Sequence, residues 1–120
     1  MESSELTLDA PDELAERARS GDPAAFARLY DRTWAPICRH TMRMMGRDPE
    51  RARELAQETF TRAWAAIGST APGLRFRPWI YRIATNLCLH ELEKRRPELE
   101  QKKQQLEDKV RNKLQDLFKR

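Results

Sequence analysis

An all-α fold is predicted by three observations. Strand signals are missing, apolar residues recur at three- to four-residue spacing over most of the chain, and two Asp-Pro pairs stand where helical patterns begin. No run of β-branched and aromatic residues alternates with polar ones, and no Asn-Gly or Asp-Gly turn occurs. The 120 residues suffice for one core. The expected architecture is a compact bundle of about four helices with an amphipathic helix added at the C-terminus.

The first helix fits Pro11 to Arg19. Asp9 or Ala10 precedes it, Asp12 and Glu13 lie in the opening turn where the helix dipole favours them, and Ser20-Gly21 stops it. Asp22-Pro23 supplies a capping acceptor and a proline at the first helical position. From there Phe26, Leu29, Tyr30, Thr33, Trp34 and Ile37 form one stripe expected to be buried. Pro36 removes one hydrogen bond inside this pattern, so a kink is expected near Arg32 to Trp34, with Gly46 closing the element. Met42, Met44 and Met45 fill either core or a partner-facing surface. Asp48-Pro49 repeats the start signal, and Ala52, Leu55, Ala56, Phe60, Ala63, Trp64 and Ile67 make one apolar face up to Gly68.

Residues 68–75, GSTAPGLR, have loop chemistry. From Phe76 a fourth helix is predicted to about Arg95, burying Phe76, Ile80, Ile83 and Leu87. The same period gathers Arg75, Arg82, Asn86, Glu93 and Arg96 on a polar, mostly basic face. Pro97 ends or bends this helix. Residues 98–120 contain no alanine, glycine or tryptophan, which marks a boundary. Leu99, Leu106, Val110 and Leu117 fit a heptad seam, but Lys103 and Lys113 occupy two of its inner positions. A lone amphipathic helix is expected; QLEDKV at 105–110 is similar to a leucine-zipper stretch, so a coiled-coil or engineered tail is the alternative. The organisation read from the sequence is therefore an acidic segment 1–11, a domain 12–97 and a C-terminal helix 98–120.

Charge is unevenly spread. Residues 1–23 carry seven acidic and two basic residues, whereas residues 74–97 carry six basic and two acidic ones. That asymmetry suggests a polyanion as partner, with a solvated charged face as the competing explanation. Cys38 and Cys88 form no C-x-x-C unit, and His40 and His90 match no zinc spacing, so no metal site is expected. The glycines are ungrouped, which argues against phosphate-cradling loops, and no nucleophile, base or carboxylate pair can be assembled. An enzyme is not expected, nor a cofactor. The acidic start and the lack of a long apolar run predict a cytoplasmic protein without a membrane partner.

Three strings together resemble the extracytoplasmic-function (ECF) sigma factors of bacterial RNA polymerase, specifically their conserved region 2. These are AERARSGDPAAFARLYD (15–31), RELAQETFTRAWAAI (53–67) and FRPWIYRIATN (76–86), in order and at compatible spacing; Glu54 stands where that family usually has aspartate. The resemblance implies that the second string meets the clamp helices of the polymerase β′ subunit through Glu54, Gln57 and Glu58, with Phe60 or Trp64 adding apolar area. Carboxylates facing a basic partner helix would favour orientation and on-rate, although a solvated edge is the bland alternative. It also implies that the 68–75 loop holds a flipped base of the nontemplate minus-ten strand. Ser69 and Thr70 would line that pocket, Arg82 and Asn86 would meet the duplex edge, and Arg75, Arg77 and Arg96 would anchor phosphates. Trp79 is either a stacking platform for unpaired bases or a packing residue. An anti-sigma factor is a further partner common in the family. Residues 98–120 do not resemble the helix-turn-helix domain that reads the minus-35 element. Two other readings stay open: an interaction module that dimerises through residues 98–120, and a nonspecific basic DNA binder.

Overall fold

The computed structural model describes residues 10–119. Four helices follow one another: α1 (Pro11–Arg19), α2 (Pro23–Met45), α3 (Pro49–Ile67) and α4 (Phe76–Phe118). The first three each begin on a proline, whose fixed φ suits the opening turn and whose missing N–H would have had no helical partner. Asp22 caps α2 by accepting from the Ala24 and Ala25 N–H groups at 3.0 and 3.3 Å, and Asp48 caps α3 by accepting from Arg51 N–H at 3.2 Å. Ala10 occupies the position before α1 and gives no side-chain cap; Asp9 lies outside the described residues.

Between α1 and α2 the chain turns within three residues. The Gly21 N–H donates to Ala18 O and the Asp22 N–H to Arg17 O, a paired closure that needs a left-handed residue, and Gly21 supplies it at φ +96°.

The core is built from small and branched residues that let helices approach closely. Leu14, Ala15 and Ala18 of α1 meet Ala25, Leu29 and Ile37 of α2, Ala56, Ala63 and Ile67 of α3, and Phe76, Ile80 and Ala84 of α4. The chain divides into two compact units, one ending at Leu89 and one beginning at His90. In the second unit the apolar seam Leu99, Leu106, Val110 and Leu117 is exposed throughout.

Some expectations change. α2 contains Pro36 in its interior, and α4 contains Pro97 and continues to Phe118, so the fourth helix does not end near Arg95. Each proline removes one N–H, and the carbonyls they cannot serve belong to Arg32 and Glu93, both exposed residues near solvent. One lost bond does not end a helix whose remaining bonds are intact. The α2 stripe is also not uniformly buried: Phe26, Tyr30 and Trp34 stay half-buried while Leu29, Thr33 and Ile37 are enclosed. On α4 the enclosed positions include Ala84 and Cys88, with Ile83 only half-buried. Of the methionines, Met45 is buried and Met42 exposed.

Candidate polymerase and nucleic-acid interface

Two surfaces of the first unit carry the residues singled out by sequence. The first lies between α2 and α3. Tyr30 and Trp34 stack at 5.1 Å, Phe60 meets Tyr30 edge-on at 4.9 Å and Trp34 at 5.9 Å, and Phe26 lies 5.1 Å from Trp64. Phe26, Tyr30, Phe60 and Trp64 line an open groove of about 690 Å³ together with Pro23, Ala27, Asp31, Gln57 and Thr61. Phe60, at 4% exposure, forms the floor, whereas Trp64, at 42%, forms an accessible wall. The two aromatic residues proposed for one role thus occupy different depths.

Gln57 is exposed and borders a second depression of about 410 Å³ with Pro49, Glu50, Arg53 and Glu54. Glu54 is held at 2.9 Å by Arg51, and Glu58 at 3.0 Å by Arg62. Such surface pairs contribute little net energy, so both carboxylates can exchange a local partner for an external basic one at small cost. The result is a polar, partly acidic rim beside an apolar groove, a composition suited to a protein partner.

The second surface is the loop after α3 and the start of α4. Ser69 is exposed, and so are Arg75, Arg77, Arg82 and Asn86. Arg82 and Asn86 are one turn apart on α4, so they share a face. Arg75 and Arg77 rim a depression of about 360 Å³ with Ala10, Pro11, Asp12 and Pro78. Trp79 is half-buried, with its ring 6.0 Å from that of Phe76. Packing therefore accounts for one part of its ring and leaves another part in solvent. Arg96 belongs to the second unit, where it pairs with Glu100 at 3.4 Å.

Thr70 is placed otherwise than a free pocket hydroxyl would be. Its Oγ1 donates to Ile67 O at 2.6 Å, and Arg19 Nε approaches the same oxygen at 3.2 Å. Arg19 Nε and Nη2 also donate to the Thr70 carbonyl at 2.9 and 2.7 Å. Two further ties come from α1: Glu16 Oε1 accepts from the Gly73 N–H at 2.8 Å, and Asp12 Oδ1 accepts from the Phe76 N–H at 3.0 Å, capping α4 from a distance. The Gly73 N–H, assisted by Arg19, holds the Glu16 carboxyl below the ordinary carboxylate range. The sequence reading missed Asp12, Glu16 and Arg19. A signal was present in their spacing of four and three residues, which puts three hydrogen-bonding side chains on one helical face.

Across α2 and α4, His40 Nε2 hydrogen-bonds Thr85 Oγ1 at 2.8 Å and its ring lies edge-on to Tyr81 at 5.1 Å. Burial, and secondly the Arg43 charge, push its pKa below the ordinary value. Desolvation raises the pKa of the Cys38 thiol, against a smaller lowering by the Arg53 charge. Among the described residues no group of three or more His, Cys, Asp or Glu side chains could hold a metal, and no helix is long and apolar enough to cross a membrane.

The first unit is thus a helical bundle with an acidic-apolar rim on α2 and α3 and a braced loop beside a basic face of α4. The Sigma-70 region 2 family model matches residues 29–98, and the chain belongs to that family, in the form found in ECF sigma factors. It is 37% identical over 83 residues to the ECF RNA polymerase sigma factor SigW of Bacillus subtilis, covering 69% of this chain and 44% of SigW. Against the ECF RNA polymerase sigma factor BldN of Streptomyces coelicolor it is 38% identical over 89 residues, 73% of this chain and 33% of that protein. The chain thus spans less than half the length of these relatives. Among solved structures it resembles an engineered region 2 of sigmaE, determined by NMR in complex with GTAAAA, with TM-score 0.64, 29% identity, and coverage of 76% of this chain and 94% of the other.

Proposed function

We propose that this domain binds RNA polymerase core through the α2/α3 surface and recognises and melts the promoter minus-ten element by capturing nontemplate bases at the 68–75 loop. The observation that carries the reading is the juxtaposition of a loop fixed by three ties with an exposed Arg75, Arg77, Arg82 and Asn86 set. Arginine forks to guanine or phosphate oxygens and asparagine pairs with adenine edges, so this set suits DNA. Ser69 and the exposed loop backbone offer hydrogen bonds to an extruded base, while Thr70 keeps the loop in shape. The domain performs no chemistry; thermal opening exposes bases, and selective binding shifts the equilibrium towards the open state. The likeness to a region 2 solved with GTAAAA supports single-stranded DNA as ligand.

On the other surface, Glu54, Gln57 and Glu58 meet the β′ clamp helices, with Trp64 as the apolar contact and Phe60 beneath it. An anti-sigma factor that covers both surfaces would block both partners. A cytoplasmic location is part of this reading.

A panel of single-stranded hexanucleotides, GTAAAA and its single-base variants, titrated by fluorescence anisotropy, tests the DNA half. Unequal affinities are expected; equal affinity for every sequence leaves only a nonspecific basic DNA binder. Asn86→Ala, at the duplex edge, is expected to impair opening of a promoter duplex while sparing polymerase binding, at a cost of about 1–3 kcal/mol. Gln57→Ala with Glu58→Ala is expected to weaken pull-down of core polymerase roughly tenfold with unchanged circular dichroism; undiminished binding removes this interface. The exposed seam Leu99, Leu106, Val110 and Leu117 favours a second reading as a self-association module. Sedimentation of a monomer at every concentration excludes it.

A further inference from the structure

The base-capturing loop is built of short local turns. The Ser69 and Thr70 N–H groups reach back to the end of α3, and Pro72-Gly73 forms a second turn. What ties these turns to the rest of the fold comes from α1, at three points spaced three residues apart: Arg19 on the Thr70 carbonyl, Glu16 on the Gly73 N–H, and Asp12 on the Phe76 N–H.

We propose that Asp12, Glu16 and Arg19 are positioning residues that set the base selectivity of the loop without touching DNA, an inference that rests on the loop being the base-capturing element. Each of them spends hydrogen bonds inside the protein, Asp12 through one carboxylate oxygen and Glu16 and Arg19 through several atoms. Arg19 uses Nε and Nη2 on Thr70 and Nη1 on Glu16 Oε2 at 3.0 Å, and its side chain is only 17% exposed. A basic residue beside a DNA-facing loop is therefore not a phosphate anchor. Glu16 uses one carboxylate oxygen on Arg19 and the other on Gly73, so the two ties act as one unit. Gly73 stands at φ +84°, in a Pro72-Gly73 turn that favours glycine there, and Glu16 fixes the direction of its N–H.

The physical consequence is separable from affinity. A pocket distinguishes bases only if its donors and acceptors hold fixed positions, because a mobile loop adjusts to each base and pays ordering entropy for all of them alike. Attraction of the strand by exposed arginines does not depend on loop shape.

The test uses the same hexanucleotide panel with three variants of the whole chain. Arg19→Ala and Glu16→Ala are expected to lower the affinity ratio between the best and worst base by about tenfold. Binding of oligo(dT) should stay within about twofold, since the phosphate-facing arginines remain. Glu16→Gln retains an oxygen for the Gly73 N–H and should restore most of the ratio. Faster hydrogen exchange at Gly73 in Glu16→Ala reports the released loop, and pull-down of core polymerase should be unchanged. Full discrimination in Glu16→Ala despite faster Gly73 exchange overturns the positioning role and leaves base capture standing. A wild-type chain that binds all hexanucleotides equally overturns base capture and the positioning role together. If Arg19→Ala does not fold, the contrast between Glu16→Ala and Glu16→Gln decides.

Discussion

Leu29 and Trp64 both belong to apolar stripes at helical spacing, and their depths separate their roles. Leu29 has no exposed surface and sits in the core shared by all four helices, whereas Trp64 is 42% exposed beside Phe26. Leu29→Ala is expected to destabilise the fold by about 2–5 kcal/mol, read from urea denaturation, because it leaves a cavity that close-packed neighbours cannot fill. Trp64→Ala should cost clearly less stability and show its effect in polymerase binding instead. Periodicity records which residues share a face, but it does not record how far along that face the neighbouring helix reaches. The placement of Thr70 has the same origin: the sequence shows a hydroxyl in a loop, and the fold brings Arg19 of another helix onto it.

At the scale of elements, the α2–α4 contact makes stability sensitive to pH. His40 is buried enough to favour its neutral ring, so its folded-state pKa lies below the ordinary value of about 6.5. Above that value both states hold the neutral ring and the contact with Thr85 and Tyr81 stands in full. As pH falls from about 7 to 5 the unfolded chain takes up the proton first and stability declines. His40→Asn should flatten the dependence of the melting temperature across that window. A separate acid loss belongs to Asp22 and Glu16, whose carboxyls are held low chiefly by the Ala25 and Gly73 N–H groups respectively; their stabilisation disappears only as pH falls through the depressed values. The helix ends were legible wherever a local device marks them, as at Asp22-Pro23, Gly21 and Asp48-Pro49. Pro97 does not end α4, because a proline's local cost is one hydrogen bond and a long helix tolerates that loss.

At the scale of the whole molecule, the charge asymmetry of the sequence acquires a division of labour. The acidic residues of α1 that look like a solvated head include Asp12 and Glu16, both engaged on the loop. The arginines of the loop and of early α4 remain exposed. Binding of single-stranded DNA should therefore weaken with salt, and Arg77→Ala should reduce the slope of log affinity against log salt by about 0.7 if it meets one phosphate. An unchanged slope would remove Arg77 from the phosphate contacts.

The sequence alone determined the all-α class, the starts of all four helices, the 68–75 loop and the three family strings, because capping residues, prolines and apolar periods act between neighbours in the chain. Tertiary structure decided which aromatic rings line a groove and which lie beneath it. It also decided that α1 holds the loop through hydrogen bonds between residues 51, 57 and 64 positions apart. Contacts of that separation depend on how four helices pack, and no local preference encodes them.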